Sequence, residues 1–150
     1  MKPDPGTYAL ILKCDSRARV QVGRLGEIEL RPGYYIYIGS AFGPGGVRGR
    51  VSRHFREPKT KHWHIDYLRE HASPVGVWYS YEPEHLEHLW AQTLHEASGF
   101  FPIQGFGCSD CKCDSHLFHT SRFPDFASFA NAVGGMIEEG KFQAPKNEQK

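Results

Sequence analysis

At 150 residues with 39% hydrophobic content, the chain holds enough material for one domain with its own core and too little for two. A formal charge of +1 excludes the uniform positive field of a histone-like binder. The N-terminal Met1-Lys2-Pro3-Asp4-Pro5-Gly6 has no apolar run behind its charge, and no stretch approaches the length of a bilayer span, so a cytoplasmic chain without membrane contact is expected.

Residues 7–13 (Thr-Tyr-Ala-Leu-Ile-Leu-Lys) are apolar on both faces, as a central strand should be, and carry Tyr8. Residues 19–22 and 27–30 alternate around Gly23-Arg24-Leu25-Gly26 and predict a hairpin. Residues 33–41 (Gly-Tyr-Tyr-Ile-Tyr-Ile-Gly-Ser-Ala) predict a second strand. It should send Tyr35 and Tyr37 to a face of phenol hydroxyls and Tyr34, Ile36 and Ile38 to an apolar face. Gly43, Pro44, Gly45 and Gly46 break the backbone, and a helix can start near Val47, with Val47, Val51 and Phe55 on its core side. Arg50 and His54 lie four apart on a neighbouring face. Beside a glycine turn whose amides are free toward solvent, they suit a phosphate.

Six of the eighteen Lys and Arg residues (Arg48, Arg50, Arg53, Arg56, Lys59 and Lys61) fall within positions 48–61, so the positive charge is local, as a nucleic-acid groove needs. His62-Trp63-His64-Ile65-Asp66-Tyr67-Leu68 reads as helix or strand. As a strand it would align His62, His64 and Asp66 in the manner of a zinc hydrolase of small molecules; as a helix it leaves His62 for phosphate contact beside the arginines. Residues 74–81 predict a further strand. A helix follows with Pro83 in its first turn, a stripe of Leu86, Trp90 and Leu94, and Gly99 as its stop. Glu87 borders that stripe and should be partly buried, whereas Glu82, Glu84 and Glu96 should be solvated. Cys108, Cys111, Cys113 and His116 crowd into nine residues, compatible with free thiols or with a structural zinc, and not with a secreted disulfide framework. Phe126, Phe129, Ala130 and Val133 predict a closing helix, and residues 141–150 a disordered polar tail behind a single domain at 1–140.

Gly6-Thr7-Tyr8, Tyr37-Ile38-Gly39 and the Arg50…His54 helix resemble the GIY-YIG nuclease superfamily, whose two signature triplets lie on neighbouring strands. The likeness is nearest to its small stand-alone Uri-type branch, also catalogued as the domain of unknown function DUF123. There the second triplet continues as Tyr-Ile-Gly-Ser-Ala and a Gly-Phe-Gly-x-Ser-Asp-Cys-x-Cys-x-Ser-His-Leu segment follows, as at 105–117. The chain departs from the superfamily in the long separation of Tyr8 and Tyr37, which the hairpin accounts for, and in Ser40, where the repair-nuclease branch has lysine. The usual terminal asparagine has no clear counterpart.

The resemblance implies an α/β fold of the α+β type, with a small, mainly antiparallel central sheet, an added hairpin and flanking helices. It implies a metal-dependent endonuclease acting on phosphodiester bonds in DNA, with Tyr8, Tyr37, Arg50, His54 and Glu87 as catalytic residues and Glu87 holding Mg2+ or Mn2+. Tyr37 resembles the general base, a role that requires the positive site to lower the phenol's pKa from about 10. Arg48, Arg53, Arg56, Lys59, Lys61 and His62 would contact nucleic acid. The competing class is a non-catalytic nucleic-acid-binding module, with zinc at the cysteine segment as an option.

Overall fold

The computed structural model describes residues 1–56, 60–107 and 115–140. The apolar first strand forms as β1 (Gly6–Cys14), every residue of which is buried except Lys13. β2 (Ala18–Val22) and β3 (Gly26–Leu30) make the expected hairpin around a 3-10 turn at Gly23–Leu25, and they pair only with each other. β4 (Gly33–Ala41) then returns antiparallel to β1, setting Gly39 opposite Tyr8 and Tyr37 opposite Leu10. Two helices follow, α1 (Gly46–Phe55) and α2 (His64–Leu68), before β5 (Ser73–Ser80) pairs with the other edge of β1. The remaining elements are α3 (Glu87–Glu96), β6 (Phe101–Pro102), β7 (Leu117–Thr120), α4 (Phe126–Val133) and β8 (Glu138–Gly140).

The six-stranded sheet has the order β6-β7-β4-β1-β5-β8, with all neighbours antiparallel. This is the mixed α+β architecture, with a mainly antiparallel sheet and an added hairpin, that the resemblance implies. Because side chains alternate along a strand, β1 and β4 feed two separate cores. Leu10, Leu12 and Tyr35 pack with Val47 and Val51 of α1, Ile65 and Leu68 of α2, and Val22 and Leu30 of the hairpin. Ala9, Ile11, Ile36 and Ile38 pack on the other side with Trp90 and Leu94 of α3 and Phe129 of α4. At about 1.5–3 kcal/mol for each fully buried aliphatic side chain, two covered faces explain why so short a chain supports a six-stranded sheet.

β4 alternates as expected, with Tyr35 and Tyr37 on one face and Tyr34, Ile36 and Ile38 on the other; Tyr35 is fully buried and Tyr37 stays partly exposed, because α1, α2 and the hairpin cover their face. The structure corrects two expectations. Pro83 lies outside α3, which starts at Glu87. His85 stacks on Phe42 at 4.0 Å between ring centroids and the Leu86 amide donates to Thr7 Oγ1 at 3.3 Å, so residues 83–86 are held against the sheet as a non-helical lead-in. Glu82 is half-buried and accepts the Met136 amide at 2.8 Å instead of being free in solvent. The short strands β6, β7 and β8 carry no clear alternation and have no counterpart in the sequence reading. No helix among the described residues is long and apolar enough to cross a membrane. The expected tail at 141–150, Lys59, and Cys108, Cys111 and Cys113 lie outside the described residues.

Candidate active site

A cavity of about 260 Å³ opens where β4, α1, the lead into α2 and the start of α3 meet. Tyr37, Gly39 and Ser40 reach it from β4, Arg50 from α1, and Glu87 with His88 from α3. Trp63, Gly107 and His116 complete the wall.

The register of β1 against β4 makes room for this arrangement. A Cβ on Gly39 would overlap the hydroxyl and ring of Tyr8 on the paired strand, so only glycine lets the phenol lie flat there. Gly39→Ala is expected to lower the unfolding free energy by about 1–3 kcal/mol in a urea melt, because Tyr8 must shift in a filled core. An unchanged midpoint would mean that the strands do not meet in this register.

The start of α1 departs from the sequence reading. Gly46 takes a left-handed φ of 58°, and a side chain there would run into the carbonyls of Pro3 and Asp4. The Asp4 carbonyl accepts the Val47 amide at 2.9 Å, the Lys2 carbonyl accepts the Arg48 amide at 3.1 Å, and Gly43 accepts from Gly46 at 3.2 Å. The amides of Gly46, Val47 and Arg48 at the start of α1 are therefore taken within the fold, two of them by the N-terminal segment that folds back onto the helix.

Tyr8 and His54, both 1% exposed, stand behind the cavity wall and form a hydrogen bond of 2.6 Å between the phenol oxygen and Nε2. Burial pushes the Tyr8 pKa well above its ordinary value, and the nearby Tyr37 adds to that; the positive charge of the Arg50 guanidinium pulls the other way without prevailing. Burial lowers the His54 pKa to about 3, helped by the positive charge of Arg50. Both groups are thus uncharged at neutral pH. Among the described residues, His54 Nδ1 is a buried nitrogen with no hydrogen-bond partner. The ring of Tyr37 packs edge-on to His54 at 5.9 Å and tilted against Tyr8 at 6.4 Å. The two tyrosines therefore differ in kind: Tyr37 faces the cavity, and Tyr8 supports it from inside.

Arg50 donates through one terminal nitrogen to the Ser40 carbonyl at 3.0 Å, and no carboxylate pairs with it among the described residues. The other basic residues divide. Arg53 forms a two-pronged ion pair with the buried Asp66, at 2.9 and 3.0 Å, and Lys61 pairs with Glu70 at 2.6 Å, so both charges have partners within the fold. Arg48, Arg56 and His62 are exposed. Because residues 64–68 are helical, His62, His64 and Asp66 do not align along a strand. The Asp66 carboxylate instead accepts the His62 and Trp63 amides, and His64 Nδ1 accepts the Gly107 amide at 2.8 Å. Burial raises the Asp66 pKa, but the Arg53 hydrogen bond and the two amides outweigh it and hold the carboxyl below its usual range.

Glu87 is the first residue of α3, where the helix dipole favours a negative charge. Its side chain is 15% exposed. One oxygen, Oε1, is shielded from solvent without a hydrogen-bond partner, with His85 Nδ1 at 3.9 Å as its neighbour. A half-shielded carboxylate with unused acceptor capacity fits a hard divalent cation that keeps waters as its other ligands. No group of three or more His, Cys, Asp or Glu side chains converges among the described residues, so the donor set suits such an ion better than a closed protein cage.

Sequence reasoning missed Trp63 and His88 as cavity residues and named His116 as a possible zinc ligand. His88 and His116 face each other with ring centroids 6.0 Å apart, and burial, then the neighbouring His88, lowers the His116 pKa. Nothing in their spacing, 28 positions apart, announces that they meet. The family model described as a domain of unknown function, DUF123, matches residues 7–138. No curated protein and no solved structure matches the chain.

Proposed function

The chain belongs to the DUF123 family, whose description assigns no chemistry, and we propose that its cavity cleaves phosphodiester bonds in DNA as a metal-dependent endonuclease of the GIY-YIG type. The observation that carries the reading is the convergence of Tyr37, Arg50 and Glu87, from three separate elements, on one cavity of about 260 Å³, a volume suited to a phosphate and its immediate substituents.

Each wall has a task in such a reaction. Arg50, held by the Ser40 carbonyl and free of any carboxylate among the described residues, binds the phosphoryl oxygens through its remaining donors. Tyr37 is the phenol that faces the substrate and is placed to orient the attacking water and receive its proton. Tyr8 and His54, uncharged and buried, keep the Tyr37 ring from retreating into the sheet. Glu87 would hold a magnesium or manganese ion, which when bound supplies charge neutralisation at the phosphoryl and leaving oxygens. The water oxygen forms the new bond to phosphorus as the bond to the leaving sugar oxygen breaks.

The test is a magnesium titration of nicking on a panel of branched and linear DNAs and RNAs. The parent is expected to cut, and Arg50→Ala to lose roughly 10²-fold or more, with Arg50→Lys recovering only part because it cannot grip two oxygens at once. Binding without cutting at any divalent concentration would favour the non-catalytic module. Equal cutting by parent and Arg50→Ala would remove the cavity from the reaction.

A further inference from the structure

We propose that Trp63 is a positioning residue for Arg50, anchored by the Arg53–Asp66 pair; this deepens the phosphodiester reading and rests on it. The indole lines the cavity, and two guanidinium groups lie against it, with their central carbons 4.5 Å (Arg50) and 4.1 Å (Arg53) from its ring centroid. Two cations on one indole is an unusual use of an aromatic face, since each is drawn to the same region of negative potential while repelling the other. Something must hold the pair together, and Asp66 does so.

Asp66 is 1% exposed and accepts from four donors at once. Its two oxygens take the terminal nitrogens of Arg53, and Oδ2 also takes the amides of His62 at 2.8 Å and Trp63 at 3.0 Å. One buried carboxylate therefore fixes both the arginine that lies on the indole and the backbone from which the indole projects. Arg53 is neutralised in this way, which leaves Arg50 as the cation on the ring whose charge is available to the cavity. The ring and the Ser40 carbonyl together set the plane of the Arg50 guanidinium before any substrate arrives. A long side chain that is ordered in advance loses less rotamer entropy when it grips a phosphate, and two-point recognition depends on its plane.

The test compares single-turnover cleavage of a short DNA in the parent, Trp63→Phe and Trp63→Leu, each also made in the Arg50→Ala background. In the parent background, Trp63→Leu is expected to lose about tenfold and Trp63→Phe less, the order of cation attraction. In the Arg50→Ala background, Trp63→Leu is expected to cost nothing further, a result that a role in mere stability or in stacking on a base would not produce. Equal losses in both backgrounds, or no loss in the parent, would overturn the proposal.

A second readout works whether or not the chain cleaves DNA. The protein has three tryptophans, so 5-fluorotryptophan labelling gives three fluorine resonances. Arg50→Ala should move the Trp63 resonance while leaving those of the buried Trp78 and Trp90 in place, and inorganic pyrophosphate should move it only when Arg50 is present. A Trp63 resonance indifferent to Arg50 would refute the positioning role, whereas an inactive parent with a responsive Trp63 would sink the nuclease reading alone.

Discussion

Glu87→Gln is expected to slow single-turnover cleavage by about 10²–10³-fold at saturating DNA and magnesium, the scale of losing one electrostatic stabiliser of a transition state. The substitution keeps the shape of the side chain and deletes its charge. In the folded protein that charge rests on the α3 dipole and on His85 Nδ1, 3.9 Å from Oε1, and Oε1 has no hydrogen-bond partner. Losing the dipole contribution of about 0.3–1 kcal/mol while relieving the desolvation of a partly buried charge should leave the melting temperature nearly unchanged. DNA binding in chelator, read by fluorescence anisotropy, should hold or tighten, since a negative group beside the phosphate is gone. Loss of rate with retained fold and retained binding is the signature of a residue that serves the chemistry. A destabilised variant, or one that cuts at the parent's rate, would mean that the carboxylate is structural or idle.

The second large effect concerns acid. His54 titrates near 6.5 in an unfolded chain and at about 3 in the folded one, so between those values the unfolded state binds a proton that the folded state refuses. Stability must therefore fall as the pH drops from 6.5 toward 3, by an amount that approaches roughly 4–5 kcal/mol. The cause is burial, with Arg50 reinforcing it, and the Asp66 charge opposing both. Burial also lowers the pKa values of His64 and His116, which adds to the slope in the same direction, so the His54 share is isolated by difference. Asp66 enters only at lower pH: its pair with Arg53 is lost as the carboxyl protonates below its unfolded value of 3.8. Urea melts of the parent and of His54→Gln at a series of pH values are expected to converge in acid and to differ in slope between pH 3 and 6.5. Parallel curves would show that His54 is not the buried neutral base described here.

Much of this arrangement was legible in the residues, and the limits have physical causes. β1 announces itself as a continuous apolar run and β4 as an alternating one, both bounded by glycine, and the hairpin between them explains the long separation of Tyr8 from Tyr37. Glu87 could be picked out because a helix stripe shows which of its neighbours is half-buried. What could not be seen is contact across the chain. The Lys2 and Asp4 carbonyls that occupy the Arg48 and Val47 amides lie more than forty residues away from them in sequence, so local pattern could not show that these amides are taken. Arg53 looked like one of six groove cations until Asp66 claimed it. β7 was hidden because four residues without clear alternation give little signal, yet its His119 and Thr120 are buried, the former with Nε2 at 2.9 Å from the Pro32 carbonyl. Local pattern identifies elements and their faces; which charge meets which partner is decided by the packing.

The most direct measurement is cleavage of an end-labelled DNA by the purified chain, followed in rising magnesium and in chelator, with Glu87→Gln alongside. A defined product that forms only with the divalent ion and disappears in the variant is the outcome expected of a phosphate held among Tyr37, Arg50 and Glu87. No product from the parent at any divalent concentration, or the same product in chelator, would contradict it.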